Sequence, residues 1–165
     1  MTVWRHVGAV LLLPGTVTVA IPALIVSSAD AQLASPYIAV LGLLFGAAGA
    51  FLIIDTVRLF VRIGRGTLAP WDPTTHLVVE GPYRRVRNPM ISGVVIVLLA
   101  EALAFWSTPL LLWALSVFAV NAVYLPLVEE PGLRRRFGPE YDRYRAHVPR
   151  WLPRLRPWRG EETAT

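Results

Sequence analysis

Long apolar runs separated by shorter polar segments dominate the sequence. Val7–Ser27 carries no charged residue, and Tyr37–Ile63 is the second run. A third block, from Met90 to Val128, is too long for one helix and is interrupted at 106–109. Since a bilayer-crossing helix needs about 20 mainly apolar residues, the pattern predicts an all-α polytopic membrane protein with about four spans. The last two, Met90–Trp106 and Pro109–Val128, would form a tight hairpin.

The first apolar run has two interpretations. Arg5 and His6, the apolar stretch and the following Ala29-Asp30-Ala31 are also typical of a cleavable signal peptide. The uninterrupted run exceeds the usual apolar region of such peptides, about 7–15 residues, so we expect it to be retained as a helix bent at its prolines. In the second run, Gly42 and Gly46 have the small-xxx-small spacing that allows close helix packing.

Composition agrees with a membrane protein and excludes several kinds of site. Of the 165 residues, 55% are hydrophobic and 16% are charged, against about 25% charged in soluble domains. One integral membrane domain is therefore expected, with two N-terminal spans in 1–63 and the loop, hairpin and tail in 64–165. Cysteine is absent, which excludes disulfides and thiolate metal sites. The three histidines lie far apart in the sequence, so no metal site is expected.

All basic residues are arginine, and they flank the apolar runs. The loop 28–35 has no basic residue, whereas the loop 64–89 and the tail from Arg134 onward are rich in arginine. The net charge of +5 thus indicates membrane topology rather than nucleic-acid binding. Both termini and the long loop are expected in the cytoplasm. The absence of lysine indicates a GC-rich bacterial genome, and hence a bacterial cytoplasmic membrane.

The long loop ends at a predicted helix start. Residues 77–79 suit a short extended piece and Gly81-Pro82 a turn, while Asn88-Pro89 fits the N-cap and first position of a helix. The partial positive charge of that helix end, beside Arg87, would suit a carboxylate or phosphate. The alternative is that the loop arginines Arg84, Arg85 and Arg87 only anchor the loop to anionic headgroups.

Several charged and polar side chains at or near the same membrane level are candidates for function. Glu129 and Glu130 would close the fourth helix, where acidic residues oppose the helix dipole. They would pair with Arg134 or the loop arginines, or else hold a cation or polar ligand. Asn121, two turns from Glu129, could face a substrate cavity.

Two further polar groupings have simpler expected roles. Asp55, Arg58 and Arg62 share one face of the second helix, with Asp55–Arg58 as a compensating pair and Arg62 reaching out of the membrane. In the tail, Tyr141 and Tyr144 lie at helical spacing. This spacing predicts that residues 137–151 form an amphipathic element lying on the membrane surface.

Taken in order, five short motifs resemble one family. They are Leu77-Val78-x-x-Gly81-Pro82-Tyr83, Arg87-Asn88-Pro89-Met90, Glu129-Glu130-x-x-Leu133, Phe137-Gly138-x-x-Tyr141-x-x-Tyr144 and Val148-Pro149-Arg150. With the hairpin between the second and third, the pattern from Gly66 to Pro153 resembles the isoprenylcysteine carboxyl methyltransferases, and in part the related membrane phospholipid methyltransferases.

The resemblance implies methyl transfer from S-adenosyl-L-methionine to a lipophilic acceptor at the cytoplasmic membrane face. The acceptor would be a prenylcysteine-like carboxylate, or a lipid amine or hydroxyl, that enters from the bilayer. By position, the cofactor contacts implied are Thr75, His76, Leu77, Val78, Gly81, Tyr83, Asn88, Pro89, Met90, Ile91 and Glu129. No general base is indicated, and the candidates for positioning substrate are Arg87, Asn121 and Glu130.

Three positions depart from the family pattern. Asn88 replaces the usual histidine, Ile91 replaces a tyrosine, and Leu125 replaces an arginine that contacts substrate in some members. Two other functional classes also fit the pattern of helices. One is an NADPH-dependent membrane reductase of similar architecture, and the other is a non-enzymatic membrane scaffold that packs through Gly42 and Gly46.

Overall fold

Five helices make up the part of the chain that the structure describes. The computed structural model describes residues 11–29, 32–64 and 75–160, and every regular element in those ranges is helical. The all-α class is thereby confirmed. The elements are α1 (wide π-type turns Leu11–Ala20, then Ile21–Ser28), α2 (Pro36–Leu59, continued by a wide turn Phe60–Gly64), α3 (Pro89–Ala104), α4 (Thr108–Tyr124, a wide turn Leu125–Glu129, then Glu130–Phe137) and α5 (Pro139–His147), with a 3₁₀ turn at Gly81–Arg84 before α3.

Two of the helices are long and apolar enough to cross a membrane. These are Pro36–Ile63 in α2 and Thr108–Phe137 in α4, and only 11% of the most apolar window of each is buried. Most of their leucine and phenylalanine side chains therefore face outward, unlike those of a soluble core helix. Pro14–Ser28 and Pro89–Ala104 are apolar but shorter. Four spans remain a prediction, since α3 is about 24 Å long at 1.5 Å per residue.

Helix α1 contains Pro14 and is hydrogen-bonded to α4. Wide turns surround Pro14, and the Thr18 hydroxyl donates to the Pro14 carbonyl at 2.7 Å. The indole Nε1 of Trp113 on α4 donates to the Val17 carbonyl at 3.1 Å. Threonine hydroxyls and side chains of adjacent helices are among the donors that accompany proline in membrane helices. Residues 1–10, 30–31, 65–74 and 161–165 lie outside the described residues. Arg5, His6 and the Asp30-Ala31 part of the cleavage motif are among them.

Helices α2 and α3 form the closest contact in the bundle. A Cβ built on Gly49 would lie 2.8 Å from the Gly93 carbonyl oxygen, and one on Gly42 would lie 2.8 Å from the Ala104 Cβ. At Gly46 the nearest atom, the Ala100 Cβ, is at an ordinary 3.6 Å. The predicted packing role of Gly42 is therefore confirmed. An equally close approach, between two backbones, is at the Gly49–Gly93 pair.

The predicted hairpin between α3 and α4 is confirmed. Ser107 is the N-cap of α4, and its hydroxyl accepts from the Leu110 N–H at 3.5 Å. Trp106 completes the reversal with a φ of 45°. Below the turn, Leu98 and Ala114 are fully buried against each other at the centre of the bundle.

Helix α4 does not end at Val128, so the prediction that Glu129 and Glu130 close it was wrong. Pro126 lacks a backbone N–H, and the chain accommodates it in the wide turn Leu125–Glu129 before resuming an α-helix to Phe137. The two glutamates thus lie inside a helix and do not oppose its C-terminal dipole. The helix ends at Gly138, whose φ of 52° suits glycine.

Candidate active site

The loop before α3 and the C-terminal tail fold onto each other at one end of the bundle. Tyr141, Tyr144 and Val148 form a buried cluster, and Leu77 and Val79 of the loop pack against it. That residues 137–151 lie on the membrane surface stays a prediction, but Tyr141 and Tyr144 do not provide its outward face. Their rings are buried against the protein's own loop, which provides the apolar partner that the sequence pattern required.

Backbone hydrogen bonds fasten the tail along the loop. The N–H of Arg87 donates to the carbonyl of Pro149 at 2.9 Å, and the N–H of Arg154 donates to the carbonyl of Arg85 at 2.9 Å. The Trp158 N–H reaches the Arg84 carbonyl at 2.8 Å. Arg85 adds a side-chain contact, since its Nη1 donates to the Leu155 carbonyl at 2.6 Å. Residues 149–158 therefore form a fixed strap across the loop.

Tyr83 lies at the centre of this end of the molecule. Its backbone carbonyl accepts a hydrogen bond from the Tyr144 hydroxyl at 2.8 Å, and its ring packs with Leu59 and Val78. Burial raises the pKa of the Tyr83 hydroxyl well above its usual value of 10, and the nearby Tyr144 and Glu129 raise it further. Tyr83 is therefore neutral near pH 7.

Glu130 holds three parts of the chain together. Its carboxylate receives a two-pronged contact from Arg150, with Nε–Oε1 at 2.7 Å and Nη2–Oε2 at 3.0 Å. Arg87 approaches Oε1 at 3.1 Å, and Arg145 approaches Oε2 at 3.6 Å. The Glu130 side chain is only 5% exposed and that of Arg87 only 10%. Helix α4, the loop and the tail therefore converge on one buried carboxylate.

Of the two partners that the sequence allowed for the acidic pair, the structure selects a loop arginine for Glu130. Arg134 instead pairs with Asp142 of α5, at 3.1 Å between Nε and Oδ1. Glu129 differs from its neighbour because its side chain is exposed while Glu130 is buried. The wide turn Leu125–Glu129 ends at the exposed glutamate, and the buried one follows it directly. Such wide turns occur frequently at functional sites.

Helix α3 begins where the sequence predicts, with Asn88 as N-cap and Pro89 buried in the first turn. The Asn88 side chain makes no capping hydrogen bond to the helix. The backbone carbonyl of Asn88 accepts hydrogen bonds from the backbone N–H and from the hydroxyl of Ser92, each at 3.0 Å. The N-terminal amides of α3 thus have no side-chain cap at the end of the bundle where Tyr83 and Glu129 lie.

The other predicted cofactor residues surround this centre with different exposure. Thr75 and His76 are exposed and hydrogen-bonded to each other at 3.0 Å, Gly81 is exposed with a φ of 54°, and Met90 and Ile91 are half-buried. Asn121 is less well placed, since its amide donates to the Val117 carbonyl of its own helix at 2.8 Å.

The charged face of α2 differs from the expectation. No Asp55–Arg58 ion pair occurs among the described residues, and Asp55 instead lies beside Gly81, where its Oδ2 would be 3.6 Å from a Cβ. Arg62 extends outward as expected, at 76% exposure, and approaches Glu80 at 3.5 Å. Asp55 therefore faces the loop that carries the candidate site.

Two cavities lie outside this centre. One, of about 320 Å³, is between the loop and the tail and is lined partly by Leu77, Glu80, Glu140 and Trp158. Leu77 is its single predicted cofactor residue. The other, of about 580 Å³, is an apolar groove at the opposite end of the bundle, next to the α3–α4 turn.

Three site residues were not predicted from the sequence. Arg150 and Tyr144 belong to motifs that carry the family resemblance, but their roles as partners of Glu130 and Tyr83 depend on contacts across 20 and 61 positions. Arg85 was assigned only to headgroups, whereas it binds the strap. The order of the motifs indicated that Arg150 and Tyr144 belong to the site. The spacing of residues along the chain could not reveal that they contact Glu130 and Tyr83.

Comparison with known proteins identifies the family. The phospholipid methyltransferase family model matches residues 37–140, more than half of the chain. No curated protein and no solved structure matches this chain. The matched range includes α2, the loop, the hairpin and both glutamates. The chain therefore belongs to the phospholipid methyltransferase family, a family of membrane methyltransferases that act on lipid-related substrates.

Proposed function

We propose that this protein is an S-adenosyl-L-methionine-dependent methyltransferase whose cofactor binds between Tyr83, Glu129 and the start of α3. The observation that carries the proposal is the convergence of the loop, α4 and the tail on the buried Glu130, which is the sequence neighbour of the exposed Glu129. The family match supplies the methyltransferase chemistry. This end would face the cytoplasm, as the arginine distribution predicts.

The charges at this end fit the charges of the cofactor. S-adenosyl-L-methionine carries a carboxylate, which suits the uncapped N-terminal amides of α3. Its ammonium group and ribose hydroxyls suit an exposed carboxylate such as Glu129. The half-buried Leu77 offers an apolar edge for the adenine ring. Arg87 is already neutralised by Glu130, so we assign it to positioning the loop rather than to binding.

Methyl transfer from a sulfonium requires alignment more than acid–base chemistry. The acceptor atom forms a bond to the methyl carbon as the carbon–sulfur bond breaks, and the sulfur keeps that electron pair and becomes a neutral thioether. The protein's contribution is to hold the two reactants in line and to exclude water. A carboxylate acceptor gives an ester directly, whereas an amine or hydroxyl also gives up a proton.

The acceptor class follows in part from Leu125. Where the isoprenylcysteine carboxyl methyltransferase pattern has an arginine, this leucine is only 1% exposed. A buried leucine cannot pair with a carboxylate. We therefore propose a lipid amine or hydroxyl as acceptor in preference to a prenylcysteine carboxylate, with the lipid entering sideways from the bilayer.

Calorimetric titration of detergent-purified protein tests cofactor binding. We expect saturable binding of S-adenosyl-L-methionine, none of NADPH, and about tenfold weaker binding in Glu129→Gln, the loss of roughly 1.4 kcal/mol that one charge-assisted contact supplies. Glu140→Gln is the matched control, because Glu140 is an exposed carboxylate in the neighbouring cavity.

Two results of that titration would contradict the proposal. Absence of saturable binding to the folded wild type would overturn the cofactor assignment. Weaker binding in Glu140→Gln with unchanged binding in Glu129→Gln would move the cofactor to the 320 Å³ cavity. Unfolding temperatures measured on the same samples separate loss of binding from loss of fold.

The acceptor is tested by transfer of radiolabelled methyl groups into extracted lipids. Purified protein is incubated with methyl-labelled cofactor and a total membrane lipid extract, and the labelled species are separated and treated with base. We expect base-stable label, as an N-methyl amine or methyl ether gives. Base-labile label released as methanol would identify a methyl ester and favour the carboxylate acceptor.

A further inference from the structure

The strap carries two leucines that contact nothing in the protein's own core. Leu152 is 81% exposed and Leu155 is 94% exposed. They lie in the sequence Trp151-Leu-Pro-Arg-Leu-Arg156, where apolar and basic residues alternate. Single exposed leucines are common on proteins. Two on a short segment that is fixed in place call for a physical explanation.

The segment is held firmly in the position that exposes the leucines. Arg85 donates from Nη1 to the carbonyls of Arg154 at 3.3 Å and Leu155 at 2.6 Å, and the Arg154 N–H donates back to the Arg85 carbonyl at 2.9 Å. The Arg154 guanidinium binds the His147 carbonyl at 2.7 Å. The Arg154 N–H and the carbonyls of Arg154 and Leu155 are thus hydrogen-bonded within the protein, which lowers the cost of placing this segment next to hydrocarbon.

Trp151 connects this segment with the apolar surface of the transmembrane helix α4. Its ring packs on Phe118 with a centroid distance of 5.1 Å, and Phe118 lies eleven positions before Glu129 in the apolar segment Thr108–Tyr124. The Trp151 side chain, next to Arg150 of the Glu130 cluster, therefore lies against the outside of α4. Tryptophan is enriched at the interface between membrane and water because its ring is apolar and its N–H is polar.

We propose that residues 151–156 are inserted into the membrane interface, with Leu152 and Leu155 among the acyl chains and Arg156 at the lipid phosphates. The occupant of this surface is the lipid bilayer, because the surface continues the outward apolar face of α4 and pairs leucines with an exposed arginine. Amphipathic segments of this composition lie about 5–10 Å into the headgroup boundary.

Insertion would give the strap a role beyond closing the fold. The same residues are hydrogen-bonded to Arg85, and Pro149 is bonded to Arg87. The strap therefore links the bilayer surface directly to the loop that leads into α3. The inference does not depend on the identity of the cofactor, and its test requires no activity.

The absence of cysteine from the chain makes site-directed labelling straightforward. Leu152→Cys and Leu155→Cys, each labelled with an environment-sensitive fluorophore, are reconstituted in phosphatidylcholine nanodiscs with or without lipids that carry a shallow spin label. Ala146→Cys is the control, since Ala146 is exposed on the polar face of α5. Circular dichroism and unfolding temperature establish that each labelled variant is folded.

We expect the spin-labelled lipid to quench fluorescence at positions 152 and 155 about twofold more than at 146, as interfacial insertion implies. An aqueous quencher should give the reverse order. Equal lipid quenching at all three positions, with full access to the aqueous quencher, would overturn the proposal. Protection from both quenchers together with disulfide cross-linking between copies would also overturn it, because a second protein chain would then cover the leucines.

Discussion

The α2–α3 contact and the loop–tail assembly are held together by opposite means. Between the helices, glycine lets two backbones meet without any side-chain polar group, as at Gly49 and Gly93. At the end of the bundle, a buried carboxylate gathers arginines from two distant segments, and backbone hydrogen bonds fix the strap. The first contact depends on shape and the second on charge and hydrogen bonding.

This difference separates scaffold from site. A close glycine contact has no group that could bind or orient a polar cofactor, and apolar surroundings keep it independent of pH and salt. The loop–tail assembly has exposed carboxylate, free helix amides and buried tyrosines within one small region. The helices therefore set the position of the site, and the charged network sets its shape.

Breaking the charge network at its centre should have the largest effect. Glu130→Gln leaves Arg87 buried without its counterion, a loss of about 3–5 kcal/mol. We expect it to release the strap, so that the Arg87, Arg154 and Trp158 amides exchange rapidly while α2 and α3 stay protected. Hydrogen exchange measured by mass spectrometry checks this, with Glu129→Gln as the matched control that keeps the strap closed. Equal loss of protection in α2 and α3 would show that the two regions are not independent.

Overpacking the helix contact should have the next largest effect. Gly49→Ala places a methyl group against the Gly93 carbonyl, and such strain costs about 1–3 kcal/mol. Gly46→Ala has room at 3.6 Å and gains helix propensity worth up to about 1 kcal/mol. Reversible unfolding in mixed micelles should therefore order the variants as Gly46→Ala, wild type, Gly49→Ala. Indistinguishable stabilities would contradict the close approach.

Removing the tyrosine link should have an intermediate to small effect. Tyr144→Phe leaves the Tyr83 carbonyl without its hydroxyl donor, at a cost of about 1–3 kcal/mol for a buried polar group. Tyr37→Phe is the control, since Tyr37 is 88% exposed. Thermal unfolding followed by near-ultraviolet dichroism compares the two, and a Tyr144→Phe variant as stable as the control would exclude the hydrogen bond as a support of the loop.

The exposed ion pair between Arg62 and Glu80 should have the smallest effect. Both side chains are largely open to solvent at 3.5 Å separation, and such pairs contribute about 0–1 kcal/mol. Glu80→Gln should change the free energy of unfolding by less than that, and the difference should vanish in high salt. A loss comparable to that of Glu130→Gln would mean that exposure does not distinguish the two pairs.

Features set by local pattern were predictable from the sequence. The hairpin followed from a break in a long apolar block, and the start of α3 followed from the capping preferences of Asn88-Pro89. The close packing at Gly42 followed from the spacing of small residues. Each of these depends on neighbours within about one or two helical turns.

Features set by distant partners were not predictable. The sequence could not distinguish Glu129 from Glu130. The wide turn Leu125–Glu129 changes the direction in which the following side chains point, and the spacing of apolar residues does not reveal such a turn. An amphipathic tyrosine pattern is the same whether its partner is lipid or the protein's own loop, so the sequence could not show that the loop covers Tyr141 and Tyr144. The counterions of Glu130 lie 43 positions before it and 20 positions after it.

Hydrogen exchange with and without S-adenosyl-L-methionine tests the central claim most directly, since it locates the cofactor on the protein. We predict slower exchange in residues 75–91 and in the segment around Glu129 when the cofactor is added, with no change at the Gly42–Gly49 contact of α2. Protection confined to the apolar groove at the α3–α4 turn, or no protection anywhere at saturating cofactor, would contradict a site at the loop–tail end of the bundle.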